Sequence, residues 1–530
     1  MIVKTHCPEC KKPAKIVQED HFRDTTSRLY DCGHRVNYRP MKVSDFATFI
    51  SEDLKRPYQF QIEGAMFAIK SGVRVLIEDE MGLGKTIQAL MTMWTMRKEF
   101  TRMGLKKRES RFLVVCKARL KVQWMREVLR WCGDDWNVHI VENEHEFIGN
   151  GVDVAVVSYD LLWRFKDIDG WIAKHGITCM ICDEVQNIKN SEAKRTRSVQ
   201  TIAAGLKYLI FLSGTPIKNH AGEFFPALNM LRPDKFPTRK GYEMGWVDTY
   251  WNGRSMQYGG IRNPEAFKEY TKEFIIRRTR KEVLPELPEV TRDFRFSELG
   301  SMVQGEYDKT EQEFVKYYME SAGEAAFVRQ SNILGFLSKM RHLTGLAKIA
   351  PTVEEVEEFI METDRKLVIF VHHKDVAETL VSMLEERRKQ WPAEWGQSIL
   401  YLPASAGQEV IDKFAQPENR IMVASTLSAG EGINLQFCSD FIMMERQWNP
   451  ANEEQPETRF VRIGQLAEAV FGKYMVAVGT IDEYLSELVE KKRSFSASTL
   501  DGKKIKWDEA SLLKELAEIL AQKGALKWGW

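Results

Sequence analysis

Short, unbroken apolar runs recur along this chain at intervals too wide for hairpins. Between about 43 and 295 they are VRVLIED (73–79), FLVVC (112–116), VDVAVVS (152–158), ITCMICDE (177–184) and YLIFLSG (208–214). Each is a continuous β-branched or apolar run without polar alternation, which predicts strands buried on both faces; the intervals leave room for helices. A charged, helical region follows over 297–363. The strand rhythm then resumes with KLVIFVHH (366–373), SILYL (398–402), RIMVAS (420–425), DFIMME (440–445) and VFGKYMVA (470–477). The pattern predicts an α/β protein of two successive halves, each a parallel sheet of βαβ units flanked by helices. We expect domains over 1–42, 43–295, 296–490 (with a helical insertion at 297–363) and 491–530. The last is Lys-rich and turns into an amphipathic helix, SLLKELAEIL.

Length and composition narrow the classes. At 530 residues the chain is too long for one ordinary core, and 44% hydrophobic with 28% charged residues excludes wholesale disorder and fibrous classes. Lys plus Arg is 76 against 75 for Asp plus Glu, a net charge of +1, so charge for a nucleic-acid partner has to be local. No apolar run reaches the ~18 residues of a membrane span. The opening MIVKTHCPEC lacks the apolar stretch of an export signal, so an intracellular protein with reduced thiols is expected. Eight cysteines in such a chain do not make a disulfide scaffold.

The first run leads into EMGLGKTIQAL, which places Gly82, Gly84, Lys85 and Thr86 between a buried strand and a helix, the context a phosphate loop requires. Glycines let backbone N–H groups face phosphates, and the helix N-terminus adds partial positive charge. Lys85 would reach the β- and γ-phosphates of ATP and Thr86 would ligate Mg²⁺. Where the strict pattern has its first Gly, this chain has Asp79. About 100 residues on, Asp183-Glu184 end an apolar strand, as needed to deliver one acid to the metal and another to the attacking water. Cys179 and Cys182, a CxxC on that strand, are expected to be core positions and not metal ligands.

With these elements placed, the chain resembles superfamily-two helicases, and among them the SWI/SNF-type double-stranded DNA translocases. The resemblance rests on FQIEG (60–64), DEMGLGKT (79–86), DEVQNIKN (183–190), LSGTPIKN (212–219), IIRRTRKEVLPELP (275–288), ASTLSAGEGINL (424–435), WNP (448–450) and QPETRFVRIGQ (455–465), in this order, and covers about 50–490. The stretch Trp251–Pro288 and Glu445 before Trp448 look like the fork-remodelling, annealing-helicase branch. The resemblance implies two RecA-like lobes with an ATP site between them. It also implies roles: Gln61 reading the adenine edge, Lys85 and Thr86 on phosphates and magnesium, Asp183 the magnesium-associated acid, Glu184 the water-activating acid, and Arg459 and Arg462 the arginines of the last motif. Asp79 is common at its position in this family. Three departures stand out: Gln186 where the family usually has His, Leu427 (followed by Ser428) for a common Arg, and a short segment PASAGQEVIDKF after strand 398–402.

Two further features concern partners. From Arg97 to Arg130, Lys and Arg far outnumber acids, a local basic stripe; Lys117, Arg119 and Trp124 fall at a loop where the family touches the DNA backbone. A second cluster, Arg277, Arg278, Arg280 and Lys281, is expected to be split between phosphate contacts and lobe-packing salt bridges. Sequence-independent binding of double-stranded or branched DNA, with steep salt dependence, is expected. At the start of the chain, Cys7-Pro8-Glu9-Cys10 and Cys32-Gly33-His34 form two knuckle-like pairs suited to a structural Zn²⁺, in a zinc-ribbon-like module too small to fold unaided. His34 is the least certain ligand, with His6 and His21 as substitutes.

The expected function is a DNA-stimulated ATPase that translocates on duplex DNA and remodels forks or protein–DNA complexes. Its alternatives are a strand-separating DNA or RNA helicase and an ATP-gated scaffold. By analogy, bacterial or viral replication and repair is the expected setting.

Overall fold

The computed structural model describes the strands between Thr5 and Tyr38 together with Cys32, then residues 46–529 except 47, 52–54, 103, 107–109, 215, 218–219, 252–255, 322–325, 393–397, 404–407, 427–432, 449, 463 and 499–508. The chain divides into two compact units, Met1–Val283 and Leu284–Trp530.

The first unit begins with short antiparallel strands: β1 (Thr5–His6) pairs with β2 (Pro13–Ala14), and β3 (Ile16–Phe22), β4 (Thr25–Tyr30) and β5 (Arg35–Tyr38) form a three-stranded meander. Its main sheet is built from β6 (Arg74–Ile77), β7 (Arg111–Cys116), β8 (Val138–Ile140), β9 (Val154–Ser158), β10 (Ile177–Cys182) and β11 (Tyr208–Leu212). After a hairpin of β12 (Val247–Trp251) and β13 (Met256–Ile261), β14 (Ile275–Ile276) completes it. The order is β14-β6-β11-β10-β7-β9-β8, and every pairing is parallel. Successive strand residues serve opposite cores: Leu76, Met180 and Cys182 on one face, Val75, Ile77, Cys179 and Ile181 on the other. Burial on both faces explains why these strands lack polar alternation. It also bears out the core reading of Cys179 and Cys182, which point to opposite sides of the sheet and cannot ligate one metal ion together.

In the second unit β15 (Val290–Ser297), β16 (Leu367–Val371), β17 (Ile399–Leu402), β18 (Ile421–Ser425), β19 (Asp440–Met443) and β20 (Val470–Ala477) form a parallel sheet ordered β15-β20-β19-β16-β18-β17. The expected boundary after 295 is therefore corrected: β15 pairs with β20 along its whole length, and the break falls between Val283 and Leu284. Phe294 stacks on Tyr474 at 5.5 Å and Arg292 forms an ion pair with Glu457, which fixes β15 to this core. The helices Ser301–Glu320, Ala326–Ala347 and Ile349–Glu362 fill the expected insertion. The terminal helix Glu509–Trp528 is part of the same core, since Leu516, Ala517, Leu520 and Ala521 pack with Tyr307, Phe314, Val315, Leu337, Leu485 and Leu488. In the same unit Lys348 and Asp482 form a fully buried ion pair, with Thr344 Oγ1 donating to Asp482 at 3.0 Å. No helix among the described residues is long and apolar enough to cross a membrane.

Candidate active site

Strand β6 delivers residues 78–84 to the carboxyl edge of the first sheet, and helix α2 (Lys85–Arg102) starts directly after them. Gly82 (φ 91°) and Gly84 (φ 71°) take left-handed conformations that other residues adopt only at a cost. A side chain on Gly84 would also collide with Gln61, whose Nε2 lies 2.4 Å from the ideal Cβ position. Gln61 comes from helix α1 (Gln59–Lys70) and is 1% exposed; its Oε1 accepts from Tyr58 N (3.0 Å) and its Nε2 donates to Leu83 O (3.1 Å). It thereby braces the loop. Lys85 Nζ donates to the carbonyl oxygens of Asp79 (2.9 Å) and Glu80 (3.3 Å), an ammonium held where anionic oxygens could replace the carbonyls, and Thr86 beside it is half-buried.

Strand β10 brings Asp183 and Glu184 to the same edge, next to β11. Trp124, 3% exposed on helix α3 (Lys121–Cys132), donates its indole N–H to Asp183 Oδ2 at 2.9 Å, and Tyr159 donates its hydroxyl to Asp183 O at 2.8 Å. Burial pushes the Asp183 carboxyl up to about 6, with the adjacent Glu184 charge adding to it and Trp124 and Lys85 opposing. Glu184 adopts φ 53°, ψ 60°, an uncommon conformation for a residue with a side chain. Asn187 holds that turn from both its backbone N (2.9 Å) and its Nδ2 (2.8 Å), each donating to Glu184 O. Glu184 Oε2 accepts from Gln186 Nε2 (2.5 Å), and Gln186 Oε1 accepts from Ser213 Oγ (2.7 Å) at the end of β11. The amide that stands in for His thus links the acid pair to the LSG segment. Gly214, next along, lies so close to the phosphate loop that a Cβ would sit 2.6 Å from Met81 Cγ and 3.3 Å from Lys85 Nζ.

The sequence-selected residues Gln61, Gly82, Gly84, Lys85, Thr86, Asp183 and Glu184 thus gather at one sheet edge. The partners Trp124, Ser213 and Gly214 complete the cluster; of these, Ser213 and Gly214 lay within a quoted motif. Trp124 corrects an expectation, because it is buried against Asp183 and not turned to a DNA backbone. Three members of the basic stripe serve the fold itself. Arg111 is buried, donating to the carbonyls of Val152, His175 and Gly149; Arg97 pairs with Asp135 and lies over Trp136; Lys121 pairs with Glu142. Lys117 stays close to the acids: burial lowers its ammonium to about 8, Arg119 adds to the effect, and Glu184 opposes it.

Arg459 and Arg462 belong to the second unit. Arg459 is 4% exposed, with its carbonyl accepting from Leu435 N (3.1 Å), and Arg462 Nε donates to Thr458 O (3.2 Å). Their segment is framed by ion pairs, Arg292–Glu457 and a bidentate Arg446–Glu453 pair at 2.8 and 2.7 Å. Glu445 is held down to about 2 although burial opposes this, since it accepts from the backbone of His372 (2.6 Å) and His373 (2.9 Å) and pairs with His373 Nδ1. Among the expected zinc ligands, Cys32 is exposed, whereas Cys7, Cys10 and His34 lie outside the described residues, as do Leu427 and Ser428. Among the described residues no cluster of three or more metal-ligating side chains occurs.

Residues 58–345 match the SNF2-related domain and residues 351–464 the helicase conserved C-terminal domain. The chain belongs to the SNF2-related family. Among SNF2-related proteins it is 26% identical over 458 residues to the DNA annealing helicase and endonuclease ZRANB3 of Bos taurus, covering 84% of this chain and 41% of that protein. It is 27% identical over 466 residues to the Caenorhabditis elegans homologue of SWI/SNF-related matrix-associated actin-dependent regulator of chromatin subfamily A-like protein 1, covering 86% and 64%. The chain thus spans less than two thirds of the length of either relative. A solved structure, the Sulfolobus solfataricus SWI2/SNF2 ATPase core in complex with dsDNA, aligns over 92% of this chain and 97% of its own with 20% identity and a TM-score of 0.39.

Proposed function

We propose that this SNF2-related protein hydrolyses ATP and uses the energy to translocate on double-stranded DNA, remodelling forks or protein–DNA complexes during replication and repair. The observation that carries the reading is the meeting, at one edge of the first sheet, of the phosphate loop, the Asp183–Glu184 pair and the Gln186–Ser213 link. Lys85 and Thr86 would hold the triphosphate and Mg²⁺, Asp183 would orient the metal's water shell, and Glu184 would draw the attacking water into line. Gln61 would offer the base its second amide proton, and Arg459 and Arg462 are the expected guanidinium donors to the charge that builds on the transferred phosphoryl group. Magnesium supplies charge neutralisation at the phosphates. The named relatives include an annealing helicase, which supports forked or branched DNA as the partner, and such substrates set an intracellular place of action.

Steady-state ATP turnover with no DNA and with single-stranded, duplex and forked DNA tests this reading. Stimulation by duplex or forked DNA, with displacement of a triplex-forming strand but no unwinding, is the expected result. Stimulation only by single strands with unwinding would point to a strand-separating helicase, and no stimulation to a scaffold.

Trp124→Phe keeps most of the packing but removes the N–H on Asp183. Loss of a hydrogen bond to a charged group predicts roughly a tenfold rise in the Mg²⁺ concentration for half-maximal turnover, read from a Mg²⁺ titration.

We also propose a structural zinc ion at the amino terminus. In sequence, Cys7 and Cys10 fall between β1 and β2, and Cys32 and His34 between β4 and β5, a paired spacing that suits two zinc knuckles. Metal analysis of protein purified without chelator should find about one zinc per chain, and its absence would remove the proposal.

A further inference from the structure

Asp79 stands where a strict phosphate loop has glycine, and its carboxylate is 0% exposed. Arg278, 199 residues later, grips it side-on with one edge of its guanidinium: Nε donates to Oδ1 (3.0 Å) and Nη2 to Oδ2 (2.5 Å). Arg278 also donates to Gln88 Oε1 (3.0 Å) and to Phe60 O, and Gln88 Nε2 donates to Asp79 Oδ2 (2.8 Å). On either side, Arg277 pairs with Glu78 and Arg280 with Glu80, so consecutive acids entering the loop face arginines of the segment that leaves the first unit. The β14–β6 pairing continues into the loop, with Glu78 N donating to Ile276 O (2.7 Å) and Glu80 N to Arg278 O (2.9 Å). Lys85 Nζ rests on the carbonyls of these same residues, Asp79 and Glu80.

We propose that Arg278 is a positioning residue, which sets the phosphate loop through Asp79 and so links nucleotide binding to the state of the exit segment 275–281. The chain runs from that segment directly into the second unit at Leu284. A buried carboxylate without its guanidinium is costly, so the pair holds or breaks as a whole, as a two-state link requires. This inference rests on the ATP-binding reading above.

Hydrogen exchange of the full chain, with and without a non-hydrolysable ATP analogue and Mg²⁺, tests it. In the wild type the analogue should slow exchange in peptides spanning 275–283. In Arg278→Gln that slowing should vanish at saturating analogue, with affinity for the analogue about tenfold weaker or more. Arg278→Lys should restore part of both, and Asp79→Asn combined with Arg278→Gln should be no worse than either alone. Arg277→Gln, the half-exposed rung, should leave affinity unchanged. If Arg278→Gln does not fold, as judged by its melting profile, Arg278→Lys supplies the comparison. A wild type that binds the analogue without slowing exchange at 275–283, or an Arg278 variant with wild-type affinity and slowing, overturns the proposal alone. A wild type that does not bind the analogue overturns the ATP reading with it.

Discussion

Replacing Glu184 with Gln is expected to lower ATP turnover by about 10²- to 10⁴-fold while affinity for the nucleotide and for DNA survives. The substitution is nearly isosteric, and an amide oxygen can still accept from Gln186 Nε2, so the left-handed turn and its contacts from Asn187 have no reason to change. What disappears is the negative charge that, on the proposed reading, polarises the attacking water. Lys85→Ala should fail differently: it removes the ammonium now held by the Asp79 and Glu80 carbonyls, so nucleotide affinity and turnover should both fall, with DNA binding intact. Turnover assays paired with binding of a fluorescent nucleotide separate the two outcomes. Near-normal turnover in Glu184→Gln would mean that another group handles the water.

The second large effect is on stability. Gly64 leaves a hole that is already filled: a Cβ there would lie 1.8 Å from Gln88 Oε1 and 2.9 Å from Arg278 Nη2. Gly64→Ala must therefore displace Gln88 and Arg278 from a carboxylate that is fully buried. Overpacking together with a weakened buried ion pair is expected to cost about 3 kcal/mol or more. For a unit of this size that lowers the midpoint of its calorimetric transition by roughly 6–12 °C. Gly245 is the control: it is exposed, helical and has open space around its Cβ position, so Gly245→Ala should be neutral or stabilise by up to about 1 kcal/mol. Equal melting of both variants would remove the steric argument.

The sheets were legible because parallel strands covered on both faces must be apolar throughout, and β7, β9, β16 and β18 are buried at every position. Strand β15 was not. It is an edge strand whose sequence VTRDFRFS alternates inward and solvent-facing residues, so its charges disguised it as the end of the preceding half. Strand β14 has two residues, too few for any periodicity. Within the candidate site, the glycines and lysine announced themselves as one compact loop, and the acids as an adjacent pair closing an apolar run. The Trp124–Asp183 and Asp79–Arg278 contacts span 59 and 199 residues, and no local spacing can reveal them. Within the basic stripe Arg111 was not legible as structural, because its charge is spent on backbone carbonyls, a use that composition does not distinguish from binding phosphate.

The place of helix Glu509–Trp528 in the second unit's core bears on how the protein is made. Tyr307, Phe314 and Leu337 emerge from the ribosome some 200 residues before the helix that covers them. At about 5–20 residues per second they wait roughly 10–40 s with an oily face uncovered. Birth of the second unit thus has a vulnerable interval, in which holding chaperones have their natural point of attachment.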